Sequence, residues 1–146
     1  DGSDVFCAAG QNSLRERLFE MHGLEHSPTL VHPSAIVSPS VTLGAGCLVM
    51  PGAIINADTR IGRGGILNTA CSVDHDCVVG DFVHVSPGAR LAGSVTVGNR
   101  AWIGIGASII QNISVGQNAM VAAGAAVVSH VQDNFKVGGV PAIRLR

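Results

Sequence analysis

From Val31 onward the chain repeats every six residues. Val31, Val37, Leu43, Val49, Ile55, Ile61, Leu67, Val73, Val79, Val85, Leu91, Val97, Ile103, Ile109, Val115, Val121 and Val127 form an unbroken series of seventeen aliphatic positions. Four residues after each comes a second, mostly small one, such as Ala35, Cys47, Ala53, Cys71, Cys77, Ala89, Ala101 and Ala119. A fixed short period of this kind is the mark of a solenoid. A second period is laid over the first: Gly44, Gly62, Gly80, Gly98 and Gly116 recur every eighteen residues. Three hexads therefore make one coil, and one side of each coil starts on a residue that tolerates close backbone approach. The implied fold is an all-β solenoid, a triangular prism with three short strands per coil, stacked by parallel pairing about 4.8 Å apart.

Residues 1–30 lie outside the period. Val5 to Gly10 is a short apolar run of the kind found in buried strands. Ser13 and Glu16 have the spacing of a capping box, Leu14, Leu18 and Met21 recur at helical spacing, and Gly23 follows as a C-terminal stop. One strand and one helix cannot bury a core of their own. Residues 1–30 are therefore expected to be the C-terminal remnant of an α/β domain, or else a cap on the prism, and 31–146 the solenoid domain.

Net charge −1 gives no electrostatic footprint for nucleic acid or an anionic membrane surface. No apolar run approaches the roughly twenty residues of a membrane span, and no secretory leader is recognisable, which points to the cytoplasm. Cys47, Cys71 and Cys77 fall on the small interior position and read as reduced core fillers, not as a disulfide framework or metal cage.

Hexad position separates core from chemistry. His75, Asp76 and His84 fall on positions that face outward. His75 has Ala57 and Gly93 as its counterparts one coil below and above, so it sits in a shallow bay that suits a proton-transfer group. His22, His26, His32 and His130 read as surface residues. A zinc lyase on such a prism needs three converging histidines, and only His75 and His84 are candidates, so no metal is expected. Leu48, Ile54, Ile66, Trp102, Ile105, Ile110 and Met120 are apolar at outward or corner positions and are expected to form an interface.

Several segments carry a resemblance. Ala9-Gly10-Gln11-Asn12 with Arg15, Val31-His32-Pro33-Ser34-Ala35, Leu67-Asn68-Thr69, Val73-Asp74-His75-Asp76-Cys77, His84-Val85-Ser86-Pro87-Gly88-Ala89 and Gly138-Gly139-Val140-Pro141-Ala142 resemble the hexapeptide-repeat acyltransferases. Within these they are most similar to the sugar acetyltransferase subgroup containing PglD and NeuD. The resemblance implies a left-handed parallel β-helix, with an α/β domain that binds the nucleotide of a UDP-sugar. It also implies a homotrimer holding acetyl-CoA between neighbouring prisms. By the same resemblance His75 is the general base and Asp76 its acidic partner. His84 lies near the acetyl-CoA thioester, Gly93 and Ile105 contact acetyl-CoA through the backbone, and Ala123 falls where a relative has glycine. Gly10 and Asn12 fall in the substrate-binding segment. The chain departs from the subgroup in having Asp76 where glutamate is common, and in showing no glycine-rich phosphate turn. The implied activity is acetyl transfer from acetyl-CoA to the amino group of a UDP-linked 4-amino-sugar. The alternatives are a sialic acid O-acetyltransferase and a non-catalytic trimerising scaffold.

Overall fold

The structure, a computed structural model, describes residues 5–146. It is a parallel β-solenoid with one helix docked on its side. Two-residue strands alternate with four-residue corners and stack into three sheets of eight, six and five strands, here called faces A, B and C. Face A stacks Leu30–Val31, Leu48–Val49, Ile66–Leu67, His84–Val85, Trp102–Ile103, Met120–Val121 and Lys136–Gly138, and ends on antiparallel Ile143–Arg144. Face B runs from Ile36–Val37 to Ala126–Val127 and face C from Thr42–Leu43 to Ser114–Val115. The register is eighteen residues per coil, as in His84 over Ile66 and under Trp102. Only the last coil is shorter: Met120 pairs with Lys136 and Val115 with Val131, a step of sixteen.

The two periodic positions meet in the interior as the pattern requires. Val73, Val85, Leu91 and Ile103 alternate with Cys71, Cys77, Ala89 and Ala101 in one core, all almost fully buried. The cysteines are free, and burial raises the Cys47 thiol to about 11 and the Cys71 thiol to about 12, which makes them inert fillers. The eighteen-residue glycines are explained by coil-to-coil approach. A Cβ on Gly98 would lie 2.5 Å from the backbone nitrogen of Gln117.

Outside the period two expectations fail. Residues 5–9 form no strand, because the described residues offer this segment no neighbouring strand to pair with. The helix α1 (Asn12–Met21) starts one residue earlier than the proposed cap, with Gln11 as N-cap and no side-chain cap bond. Its buried face is Asn12, Arg15 and Phe19, while Leu14 and Leu18 are half-buried and Met21 is exposed. The prism selects that face. Phe19 packs edge-on against Phe82 with ring centroids 5.4 Å apart, and Glu16 pairs with Arg100 at 2.8 Å. Gly23 ends the helix with φ +61°, as its position implied.

Candidate active site

The edge between faces B and C carries His75. Here the corner Asp74–Cys77 turns through Asp76, whose φ of 57° is left-handed, a conformation aspartate tolerates better than most residues. This turn points the Asp76 carboxylate back at its neighbour, and Oδ2 lies 2.8 Å from His75 Nδ1. The Asp76 carboxylate accepts a hydrogen bond from Nδ1–H, which leaves Nε2 free. Asp74 fixes the backbone below: Oδ1 accepts from the His75 N–H and from Asn56 Nδ2, both at 2.9 Å. These bonds, Asn56 foremost, pull the Asp74 pKa down. The hydrogen bond from Asp76 raises the His75 pKa above its ordinary 6.5, against a smaller desolvation effect. The His75 side chain is 59% exposed. Its ring lies across Gly93, where an added Cβ would stand 2.6 Å from Cε1 and 2.7 Å from Nε2. The bay expected from the coil counterparts is therefore present, with Asp76 donating its N–H to Ala57 and Ser94 donating to His75.

His84 is different. It points outward from face A, as its hexad position implied, yet it is only 8% exposed. Two features the repeat does not contain cover it. Trp102, one coil above, stacks on the ring at 5.0 Å and 23°, held by its indole N–H on Ser86 Oγ at 2.9 Å. The turn before α1 covers the other side. Asn68 Nδ2 lies 3.0 Å from Nε2 of His84, while Nδ1 is enclosed without a hydrogen-bond partner. Desolvation lowers the His84 pKa, and the Arg15 charge adds to this. The Gly10 backbone acts weakly the other way, but is not in hydrogen-bonding geometry with Nδ1.

The other candidate residues lie elsewhere. Ile105 (62% exposed) and Ala123 occupy successive corners between faces A and B, where Gly124 donates to the Ile105 carbonyl. Asn12 is buried, and its amide is committed to the carbonyls of Arg100 and Ala101 and to Arg15. Gly10 is exposed, with its carbonyl bonded to Arg15. A single chain thus brings His75, Asp76 and Gly93 together, but sets His84 and the Ile105–Ala123 pair on other sides of the prism. Among the described residues no group of three His, Cys, Asp or Glu is placed to hold a metal. Within one chain His75 and His84 are separated by face C. Of the outward apolar residues, Leu48, Trp102 and Met120 lie on face A, the last two on adjacent coils. Ile66 on the same face is buried, Ile54 lies on face B, and Ile110 is exposed at the B/C edge. No helix among the described residues is long and apolar enough to cross a membrane.

Asn68, Asp74, Arg15 and the stacking role of Trp102 had no function assigned from the sequence. For Asn68 and Trp102 the signal was register: Asn68 precedes His84 by sixteen residues, a diagonal repeated by Ser86 and Trp102.

No protein-family model and no curated protein sequence matches the chain. Solved structures do. GDP-perosamine N-acetyltransferase from Caulobacter crescentus, a histidine-to-alanine variant in complex with CoA and GDP-perosamine, is 42% identical. It superposes with a TM-score of 0.94 over 99% of this chain and 70% of that one. The acetyltransferase domain of PglB from Neisseria gonorrhoeae, in complex with acetyl coenzyme A, is 40% identical with a TM-score of 0.94, covering 97% and 70%. WeeI from Acinetobacter baumannii is 30% identical with a TM-score of 0.93, covering 99% and 72%. At this identity and coverage the solenoid is the left-handed β-helix of these enzymes, and the chain belongs to the hexapeptide-repeat family of acetyl-CoA-dependent amino-sugar N-acetyltransferases.

Proposed function

We propose that this protein acetylates the amino group of a nucleotide-linked 4-amino-sugar, with His75 as general base. The observation that carries the reading is the Asp76–His75 pair lying across Gly93 with Nε2 free. The sugar amine attacks the thioester carbonyl of acetyl-CoA while Nε2 of His75 takes the amine's proton. A C–N bond forms, the C–S bond breaks, and the imidazolium returns the proton to the departing thiolate of CoA. Asp76 holds the tautomer and stabilises the imidazolium as a triad carboxylate does. The Gly93 backbone N–H is the candidate oxyanion donor. Cys77 takes no part: its thiol is buried, donates to the Ala92 carbonyl at 3.2 Å and has a raised pKa.

His84, Ile105 and Ala123 complete this site only if a second copy supplies them, because they project from other sides of the prism. The apolar face A supplies a surface for such packing, so we read the active form as a homotrimer with acetyl-CoA between neighbouring prisms. Read as the end of an α/β domain, residues 1–30 would offer the exposed Gly10 to the nucleotide, with the buried Asn12 holding the turn against the prism. The resemblance favoured UDP as that nucleotide, whereas the Caulobacter relative was crystallised with GDP-perosamine. Free thiol release from acetyl-CoA, measured against UDP- and GDP-linked 4-amino-sugars and sialic acid, decides. Turnover on one nucleotide amino-sugar is expected. Turnover on sialic acid alone would refute amine acetylation. Sedimentation as a monomer at micromolar concentration would refute the shared site.

A further inference from the structure

Under the helix lies a buried cation with no carboxylate partner among the described residues. Arg15 is 1% exposed, and every acceptor it meets is neutral. Nε donates to the Gly64 carbonyl at 2.7 Å. One terminal nitrogen donates to the carbonyls of Ala9 and Gly10 at 3.0 and 3.1 Å, the other to Asn12 Oδ1 and the Phe82 carbonyl at 3.0 and 2.9 Å. The nearby carboxylates are taken: Glu16 pairs with Arg100, and Asp81 with Arg63. Burial lowers its pKa only to about 10, so the charge persists at neutral pH. An unpaired buried charge costs more than a neutral side chain in the same place, so packing alone does not account for it.

What it touches suggests its use. Phe82 stands two residues before His84, Gly64 one coil below Phe82, and Ala9 and Gly10 belong to the turn that covers the histidine. The state of that ring can be read from its partners. Asn68 Oδ1 already accepts from the Thr69 N–H at 2.7 Å, so its Nδ2 faces His84, and Nε2 must be an acceptor. The ring is therefore neutral, with its proton on Nδ1. A second proton would turn Nε2 into a donor facing another donor and break the hydrogen bond that orients the ring.

We propose that Arg15 is a positioning residue for acetyl transfer: it ties residues 9–12 to the coils around His84 and, as a buried cation with no carboxylate partner among the described residues, acts with the cover of that turn and the Asn68 amide to hold the imidazole neutral with its proton on Nδ1. The inference rests on the reading above that His84 serves the acetyl-CoA end of the site. Arg15 is the charge that bears on the ring from the helix. From the prism, Asn68, Ser86 and Trp102 are neutral, and Arg100 is balanced by Glu16.

Nitrogen-15 NMR of the histidine rings in the full chain tests this without relying on turnover. In the wild type, His84 should remain the neutral Nδ1–H tautomer through the range of an ordinary imidazole, around pH 6.5. Arg15→Lys should keep it neutral, and Arg15→Met should let it titrate at a higher pH than in the wild type, with burial still holding it below an ordinary imidazole. A wild-type Nε2–H tautomer, or an Arg15→Met ring that behaves as wild type, overturns the proposal. Where Arg15→Met does not fold, Arg15→Lys decides. It keeps the charge but loses part of the clamp, so the ring must stay neutral while kcat falls several-fold at unchanged KM for acetyl-CoA. A charged ring or unchanged kcat overturns the proposal. The kinetics of His84→Gln stand apart. Full turnover there removes His84 from the reaction, and with it Arg15's part in transfer, while the NMR result still judges whether Arg15 governs the ring.

Discussion

His75 and His84 are nine residues apart on the same repeating backbone, yet the fold makes them opposites. His75 projects from a corner, is largely exposed, and has a carboxylate on Nδ1 that raises its pKa. His84 leaves a strand, lies beneath Trp102 and the turn before the helix, and has an amide on Nε2 and a cation nearby that help keep it neutral. The repeat supplies both with the same kind of scaffold. What separates them is the residue one coil above (Gly93 for one, Trp102 for the other) and a non-repeating segment that covers only the second. In such a prism chemistry is written between coils rather than along the chain. On the proposed reading, one histidine exchanges a proton and the other keeps its own.

The contrast can be broken from either side. His75→Ala should have the largest effect, a loss of kcat on the order of 10²–10⁴-fold with acetyl-CoA affinity unchanged within a few-fold by calorimetry. Gly93→Ala comes next. Its Cβ meets the ring at 2.6 Å and must push the ring aside, so steady-state kinetics should show a loss of kcat of about 10²-fold with the fold intact. Met120→Glu places a charge on apolar face A and should weaken self-association about tenfold, on the order of 1.4 kcal/mol, in sedimentation. Ser114→Glu, at an outward position of face C, should leave association unchanged. The smallest effect sharpens the His84 side. Its folded pKa lies below the unfolded 6.5, so its contribution to stability is complete above pH 6.5 and is lost as pH falls from there towards the folded value. Urea midpoints at pH 7.5 and 5.5 should differ less for His84→Phe than for the wild type.

Much of this was legible in the sequence. The six- and eighteen-residue periods specify three faces, a core and the coil-to-coil neighbours, so the bay at His75 between Ala57 and Gly93 could be drawn before any coordinates. The local turn that brings Asp76 onto Nδ1 follows from adjacency. The cover over His84 was not legible, because periodicity reports which way a side chain leaves the prism, not what later lies on top of it. Covering it takes Trp102, which read as a surface apolar residue, and the turn before α1, tied down by Arg15, a charged residue that a hydrophobicity pattern assigns to solvent. Leu14, Leu18 and Met21 misled for the same reason. They are the more apolar stripe, but the prism offers Phe82 and a ring of carbonyl acceptors, and these match Phe19 and Arg15.

The central claim is that His75 works as a base whose readiness is set by Asp76. Its most direct test is kcat/KM for amino-sugar acetylation against pH in the wild type and in Asp76→Asn. The raised His75 pKa predicts a wild-type profile that climbs with pH through a limb above 6.5. In Asp76→Asn that limb should move to lower pH and the plateau should fall. A flat wild-type profile, or a limb unmoved by the substitution, would contradict the account.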